Sequence, residues 1–284
     1  MKLRNPFLKR RMDFVGFSYG AFLILAVASW VFIFKWEDAD AAAFFSSKNM
    51  EYAKRFLNRL FDITGEGSAF KDPVKWRNAL RLTYDTLHMS ILATFFSAVS
   101  TIAVVIPAAR NAADGTLTLS KRWYSRILFL IIRSLYIFSR AVPELIWAMI
   151  VIFIFKPGIF PGAIALFLHN FGVLGKLCTE VVEDLDLRPL RNLSSSGAST
   201  GQLLIYGVVP MVMPKFITFI LYRWEVVIRT TIVVGFVGAG GLGQQFKLSM
   251  SWFKYTEITQ LLVCYLLLVV VADLLCSGVR RMIR

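Results

Sequence analysis

Five charged residues stand inside or beside apolar runs of this chain: Arg140 and Glu144, Arg223 and Glu225, and Arg229 one helical turn further on. A cation in apolar surroundings is costly unless it is paired or faces water. Arg140, Arg223 and Arg229 are therefore candidates for guiding an anion along a translocation path. Glu144 and Glu225 are equally placed to neutralise them as structural pairs. Gly238, Gly240 and Gly241 join these candidates through the run Gly238-Ala239-Gly240-Gly241-Leu242-Gly243, which has the G-x-G-x-x-G form of a dinucleotide fingerprint. That fingerprint needs a strand before it and a helix after it in a soluble βαβ unit. Here the run lies between apolar segments, where glycines allow close helix contact or a backbone turn at membrane depth.

No catalytic set emerges from the remaining titratable residues. Asp85, Glu144, Glu225 and Asp273 are membrane-proximal acids, and no pair of them shares an obvious face with His88 or His169. Cys178, Cys264 and Cys276 are scattered, without metal-ligand spacing, and their odd number argues against a disulfide framework. We expect packing residues, no metal, no cofactor and no enzymatic chemistry.

The elements that position these residues are set by composition. Of 284 residues, 57% are hydrophobic and only 18% charged, against about a quarter in soluble domains. The net charge of +14 would suggest nucleic acid in a soluble protein. Here the basic residues flank apolar runs, where they fix orientation and touch anionic headgroups, so the expected partner is a lipid bilayer and no nucleic acid.

Six spans are expected. The first covers 14–34, behind a basic N-terminus, and the second 86–107. The third, 127–155, is interrupted by Arg133, Arg140, Pro143 and Glu144. It reads as an interfacial helix ending near Arg140, with Pro143 in the first turn of the true span. The fourth covers 163–174 and extends toward Cys178, the fifth 204–222, and the last 258–276. Residues 35–81 form an extracytoplasmic segment in which Tyr52, Phe56, Leu60 and Ile63 fall at helical spacing, as an interfacial helix or a surface linker. Residues 232–243 are too short to span and are placed as a re-entrant or extracytoplasmic piece. The chain thus divides into 1–34, 35–81 and a core of 82–284. Segments 1–12, 108–126, 176–202 and 277–284 hold 15 Lys/Arg against five acids, which puts both termini in the cytoplasm.

A moderately polar island covers 180–214, and its part 180–202 is the expected cytoplasmic coupling loop between the fourth and fifth spans. It contains Gly197, then Pro210 thirteen residues later, and Pro210 with Pro214 predicts a bent cytoplasmic end to the fifth span. The glycine-to-proline spacing resembles the coupling-loop motif of ATP-binding-cassette (ABC) import permeases. Gly207 and Val209 stand at that motif's Ile and Leu positions, and Arg191-Asn192-Leu193 stands where its E-A-A part would be. The stretches around Ser139-Arg140-Ala141-Val142-Pro143-Glu144, Ile205-Tyr206-Gly207-Val208-Val209-Pro210 and Val234-Gly235-Phe236-Val237-Gly238-Ala239-Gly240-Gly241-Leu242-Gly243 resemble the phosphonate-importer subfamily. The likeness runs from about residue 86 to the C-terminus.

The resemblance implies an all-α polytopic membrane protein with the type I ABC importer (MetI-like) permease fold, in a bacterial inner membrane. It implies a pore made with a second copy of itself, two ATPase subunits that grip the cytoplasmic loop, and an extracytoplasmic substrate-binding protein delivering a phosphonate-like phosphorus oxyanion. The loop residues it implicates in ATPase contact are Leu190, Arg191, Leu193, Gly197, Ala198, Ser199, Gly201 and Pro210. An importer of another small solute, such as an amino acid, and a membrane-embedded enzyme acting on phosphorylated or lipid-linked substrates are the other readings open to the sequence.

Overall fold

The computed structural model describes residues 14–36, 45–62, 69–117 and 123–283, which divide between a unit at 1–59 and a unit at 60–284. In the first unit, α1 (Phe14–Trp36) has 23 residues with Lys35 as its one charge. At 1.5 Å per residue it is long enough to cross a bilayer. Helix α2 (Ser47–Leu60) carries Tyr52 and Phe56 four residues apart, as their spacing predicts. Ile63 and the basic segment 1–12 lie outside the described residues.

The second unit is built of α3 (Pro73–Ala108), α4 (Arg110–Ala113), α5 (Ser125–Ala141), α6 (Glu144–Phe155), α7 (Ile159–Glu183), α8 (Arg188–Ser195), α9 (Thr200–Gln202), α10 (Val209–Val234), α11 (Gly241–Ser251) and α12 (Tyr255–Ile283). π turns at Leu203–Val208 and Gly235–Ala239 extend α10 into one helical path over Thr200–Ala239. Five helices among the described residues are long and apolar enough to cross a membrane, and the bent pair α5–α6 is a sixth if it counts as one span.

Helix α3 starts thirteen residues before the expected 86 and runs across the expected boundary at 82. Asp72 caps it by accepting the Val74 N–H at 2.8 Å, and Pro73 occupies the first turn. Arg77 and Arg81 do not end the helix, because they lie on an exposed face where long side chains keep their charged heads in water.

The break between α5 and α6 falls where Pro143 predicts it, with a bend of 95°. The expectation that α6 alone is the span is corrected, because its 12 residues reach only about 18 Å. Helix α7 also outruns its expected limits, with Pro161 in its first turn and Lys176 and Glu180 paired at 3.5 Å near its end.

Helix α7 is the centre of the bundle and packs against α3, α5, α6 and α10. Its contact with α5 depends on absent side chains. A Cβ on Gly172 would run into the Tyr136 carbonyl and lie 2.7 Å from the Arg140 nitrogen, and one on Gly175 would enter the Tyr136 ring. Small residues at such a crossing let backbones approach closely, which is how helices associate where lipid removes the hydrophobic drive. Ser139 Oγ, buried in the same seam, donates to the Leu168 carbonyl.

The fifth span does not stop near Tyr222. It continues through Arg223, Glu225 and Arg229, whose charges find partners on neighbouring helices. The glycine run that follows is a packed reversal. Gly238, Gly240 and Gly241 have φ of 106°, 84° and 65°, and a Cβ on Gly235 would lie 2.7 Å from Gly243 Cα. The Leu242 N–H donates to Thr86 Oγ1 at 2.9 Å, tying the reversal to α3.

Candidate functional site

The polar island folds into a helix, a turn and a helix start. The Asp186 carboxylate accepts the Arg188 N–H at 3.0 Å, and Pro189 sits in the first turn of α8. The far end of α8 closes with two crossed bonds, Gly197 N–H to Ser194 O at 2.9 Å and Ala198 N–H to Leu193 O at 3.3 Å. This pattern needs a left-handed residue between them, and Gly197 supplies φ of +89°. No atom lies within 4 Å of a Cβ on Gly197, so within the chain its backbone angle is the reason for glycine.

Ser199 then opens the next helix as a reciprocal cap. Its hydroxyl accepts the Gln202 N–H at 3.4 Å, while Gln202 Oε1 accepts the Ser199 N–H at 2.8 Å.

Of the loop residues singled out by sequence, Arg191, Gly197, Ser199, Gly201 and Pro210 are exposed and Leu193 and Ala198 half-buried. Leu190 points the other way. It is 4% exposed, joins the core of Ala109, Val182 and Val212, and fills the space above Gly207. Pro210 and Pro214, expected to bend the start of the fifth span, do not divide it, since Thr200–Ala239 runs as one helical path. What stands before Pro210 is a π turn, where the Val209 N–H reaches back to the Leu204 carbonyl. Proline has no N–H for the α-pattern and its ring crowds the preceding turn, so a widened turn accommodates it.

A clasp beneath this loop escaped the sequence reading. Glu183, at the end of α7, pairs with Arg133 on α5 and accepts the Arg110 backbone N–H at 2.6 Å. Arg133 Nε donates to the Ala108 carbonyl at 3.0 Å, and Asn111 Nδ2 to the Val182 carbonyl at 2.7 Å. Three helix ends are thereby held together next to α8. Arg133 read only as a break in an apolar run; its partner lies 50 residues away.

Midway along α7, His169 and Asn170 bring two of the candidates together. His169 Nε2 lies 3.5 Å from Glu144 Oε2 and its Nδ1 2.9 Å from the Val142 carbonyl. Asn170, 2% exposed, accepts from Arg223 Nε at 2.9 Å and from a terminal guanidinium nitrogen. Arg140 is half-buried at the adjoining seam of α5 and α7, with no carboxylate within 4 Å among the described residues.

The pairing of these arginines with Glu144 and Glu225 is not what the structure shows. Glu225 pairs with Arg280 at 2.7 Å, and Arg229 with Asp273 at 3.2 Å, both toward α12. Gly238, Gly240 and Gly241 lie at another level, in the reversal after α10. The arrangement therefore offers the guanidinium of Arg223, with two of its five N–H groups engaged by a neutral amide and no carboxylate within 4 Å among the described residues, as for Arg140. Such a group can hold or pass an anion.

Residues 106–284 match the model of the family described as binding-protein-dependent transport system inner membrane component. The chain belongs to this family. It is thus a multi-pass inner-membrane permease subunit of an ABC transporter, which contributes the passage while ATP is hydrolysed in a separate subunit. It is 36% identical over 206 residues to the phosphite transport system permease protein PtxC of Stutzerimonas stutzeri, covering 72% of this chain and 71% of that one. It is 29% identical over 202 residues to the phosphate-import permease protein PhnE of Mycolicibacterium smegmatis, covering 71% of this chain and 36% of that one. The fold is similar to a chain of the MetNI methionine ABC transporter in an inward-facing form, with a TM-score of 0.63 at 16% identity over 75% of this permease and 99% of that chain.

Proposed function

We propose that this permease imports a phosphorus oxyanion such as phosphite, a phosphonate or a phosphate ester, as one of two copies lining the pore. The observation that carries the reading is its 36% identity to a phosphite transport permease over most of both chains. The guanidinium of Arg223, held by Asn170 at the centre of the bundle, is a suitable waypoint for such an ion, with Arg140 beside the same helix.

The exposed face of α8 and the turn after it, with Arg191, Gly197 and Ser199, is the surface we assign to the ATPase. Leu190 anchors that surface from beneath, and Pro210 with the π turn before it carries its motion into the fifth span. Both termini and this loop are cytoplasmic, in line with the excess of basic residues on those segments. A substrate-binding protein feeds the opposite end. The residues at the reversal, Gly238, Gly240 and Gly241, shape the end of the path, and Glu225 and Arg229 brace it against α12.

The test is uptake by proteoliposomes holding the permease, its ATPase and its binding protein. Phosphite or phosphate entering with ATP, and methionine excluded, is the expected result. Methionine uptake without any phosphorus oxyanion would reverse the assignment. Arg191→Glu is expected to abolish capture of the ATPase while the permease stays in the membrane.

A further inference from the structure

A cavity of about 550 Å³ with charged and apolar walls lies between α3, α11 and α12, at the end of the bundle opposite α8. Its size suits a small ligand. Among its lining residues are three cations, Lys75, Arg81 and Lys254, and two acids, Asp85 and Glu257. Glu257 is already engaged on both oxygens. Oε1 lies 3.1 Å from Lys75 Nζ and 3.6 Å from Lys254 Nζ, and Oε2 accepts from Ser249 Oγ at 3.3 Å. Two ammonium groups on one carboxylate leave an excess of positive charge at the wall.

The decisive residue is Gln260. It lines the cavity, is 2% exposed, and its Nε2 has no hydrogen-bond partner among the described residues. A buried amide donor without a partner is expensive, and native proteins satisfy it. An N–H donor beside surplus ammonium charge is satisfied by an oxyanion.

We propose that this cavity binds a phosphate-class oxyanion, free or as a lipid headgroup, with Gln260 donating to it and Lys75, Arg81 and Lys254 balancing its charge. Asp85 on the same wall disfavours more highly charged anions, which favours a singly or doubly charged tetrahedral ion. The site lies at the end we assign to the binding protein, and its place in transport rests on the oxyanion-import reading.

The experiment measures ³¹P line broadening of phosphite on the permease–ATPase complex without binding protein, purified in a phospholipid-free detergent, beside phosphite uptake in proteoliposomes holding all three components. The wild type should broaden the line. Gln260→Leu and Lys254→Gln should each weaken binding by about tenfold or more, the size of a lost hydrogen bond to a charged group. Lys215→Gln, remote from the cavity, should leave binding unchanged.

Lys254 is a surface side chain, so its variant stays informative if Gln260→Leu fails to fold. Broadening that persists in both variants overturns the site. Broadening by phosphite identifies the free ion. Silence toward phosphite, with short-chain phosphatidylglycerol protecting the wild type but not Lys254→Gln from heat, identifies the headgroup. Silence toward both overturns the proposal. Uptake is read separately: a wild type that binds phosphite but imports no phosphorus oxyanion overturns the import reading while the binding site stands.

Discussion

Leu190 occupies the volume that a side chain on Gly207 would need. The two residues join α8 to the π turn at the start of the fifth span, so the exposed loop is seated on a transmembrane helix through Leu190 on a bare backbone, with Leu193 3.7 Å from the same position. Leu190→Ala should therefore separate ATP hydrolysis from transport. We expect ATPase docking to persist, uptake per ATP to fall several-fold, and stability to drop by about 2–5 kcal/mol as for other buried Leu→Ala changes. Thermal melting and coupled uptake assays on the same preparation check both.

Glu183 serves three helix ends at once. Glu183→Ala leaves the Arg133 guanidinium without its carboxylate and the Arg110 N–H without its acceptor. Both side chains of the pair are about a quarter exposed, so solvent softens the loss, and we expect about 1–3 kcal/mol. Glu183→Gln, which keeps an acceptor, should recover part of it. Equal melting temperatures for Ala, Gln and wild type would remove the clasp from the list of structural supports.

Gly172→Ala introduces a Cβ against the backbone of Tyr136 and Arg140, which cannot swing away as a side chain can. Overpacking of this kind costs about 1–3 kcal/mol. The variant should melt lower than wild type and should move α5 relative to α7, readable as a changed cross-linking distance between cysteines placed on the two helices.

Asn170→Leu removes the acceptor that holds Arg223. Import of phosphite should fall by about tenfold or more, since both hydrogen bonds that hold the charged guanidinium are lost. ATP hydrolysis stimulated by the binding protein should persist. Asn170→Asp puts a carboxylate on the guanidinium and should block import more severely, because the anion then meets a neutralised site. Uptake at wild-type rate in Asn170→Asp would exclude Arg223 from the path.

Much of the architecture was legible because the physics is local. The loop carries its own stop and start chemistry in the Gly197 turn and the Ser199 cap, although only the Gly197-to-Pro210 spacing was expected of it and not the break between 195 and 200. The break at Pro143 is equally local. The limits of the spans were less legible, since Arg81 and Arg223 look like helix ends to a hydropathy reading. One reaches water from an exposed face, and the other is held by a buried amide. Partner choice was not legible at all. Glu144 and Glu225 stand close in sequence to arginines they do not pair with, because helical geometry turns them toward His169 and Arg280. Glu183 meets Arg133 only after α5 and α7 have packed through Gly172 and Gly175.

The π turn at Leu203–Val208 has a geometric consequence for everything after it. One surplus residue in a helix rotates the following turns by about 100° against an uninterrupted α-helix. The azimuth at which Arg223 meets Asn170 is thus set some fifteen residues earlier, next to the surface we assign to the ATPase. Removing one residue from Leu203–Val208 would keep the helix, its length and its hydrophobicity nearly intact. It would turn the guanidinium away from α7, as a key cut correctly but inserted at the wrong angle.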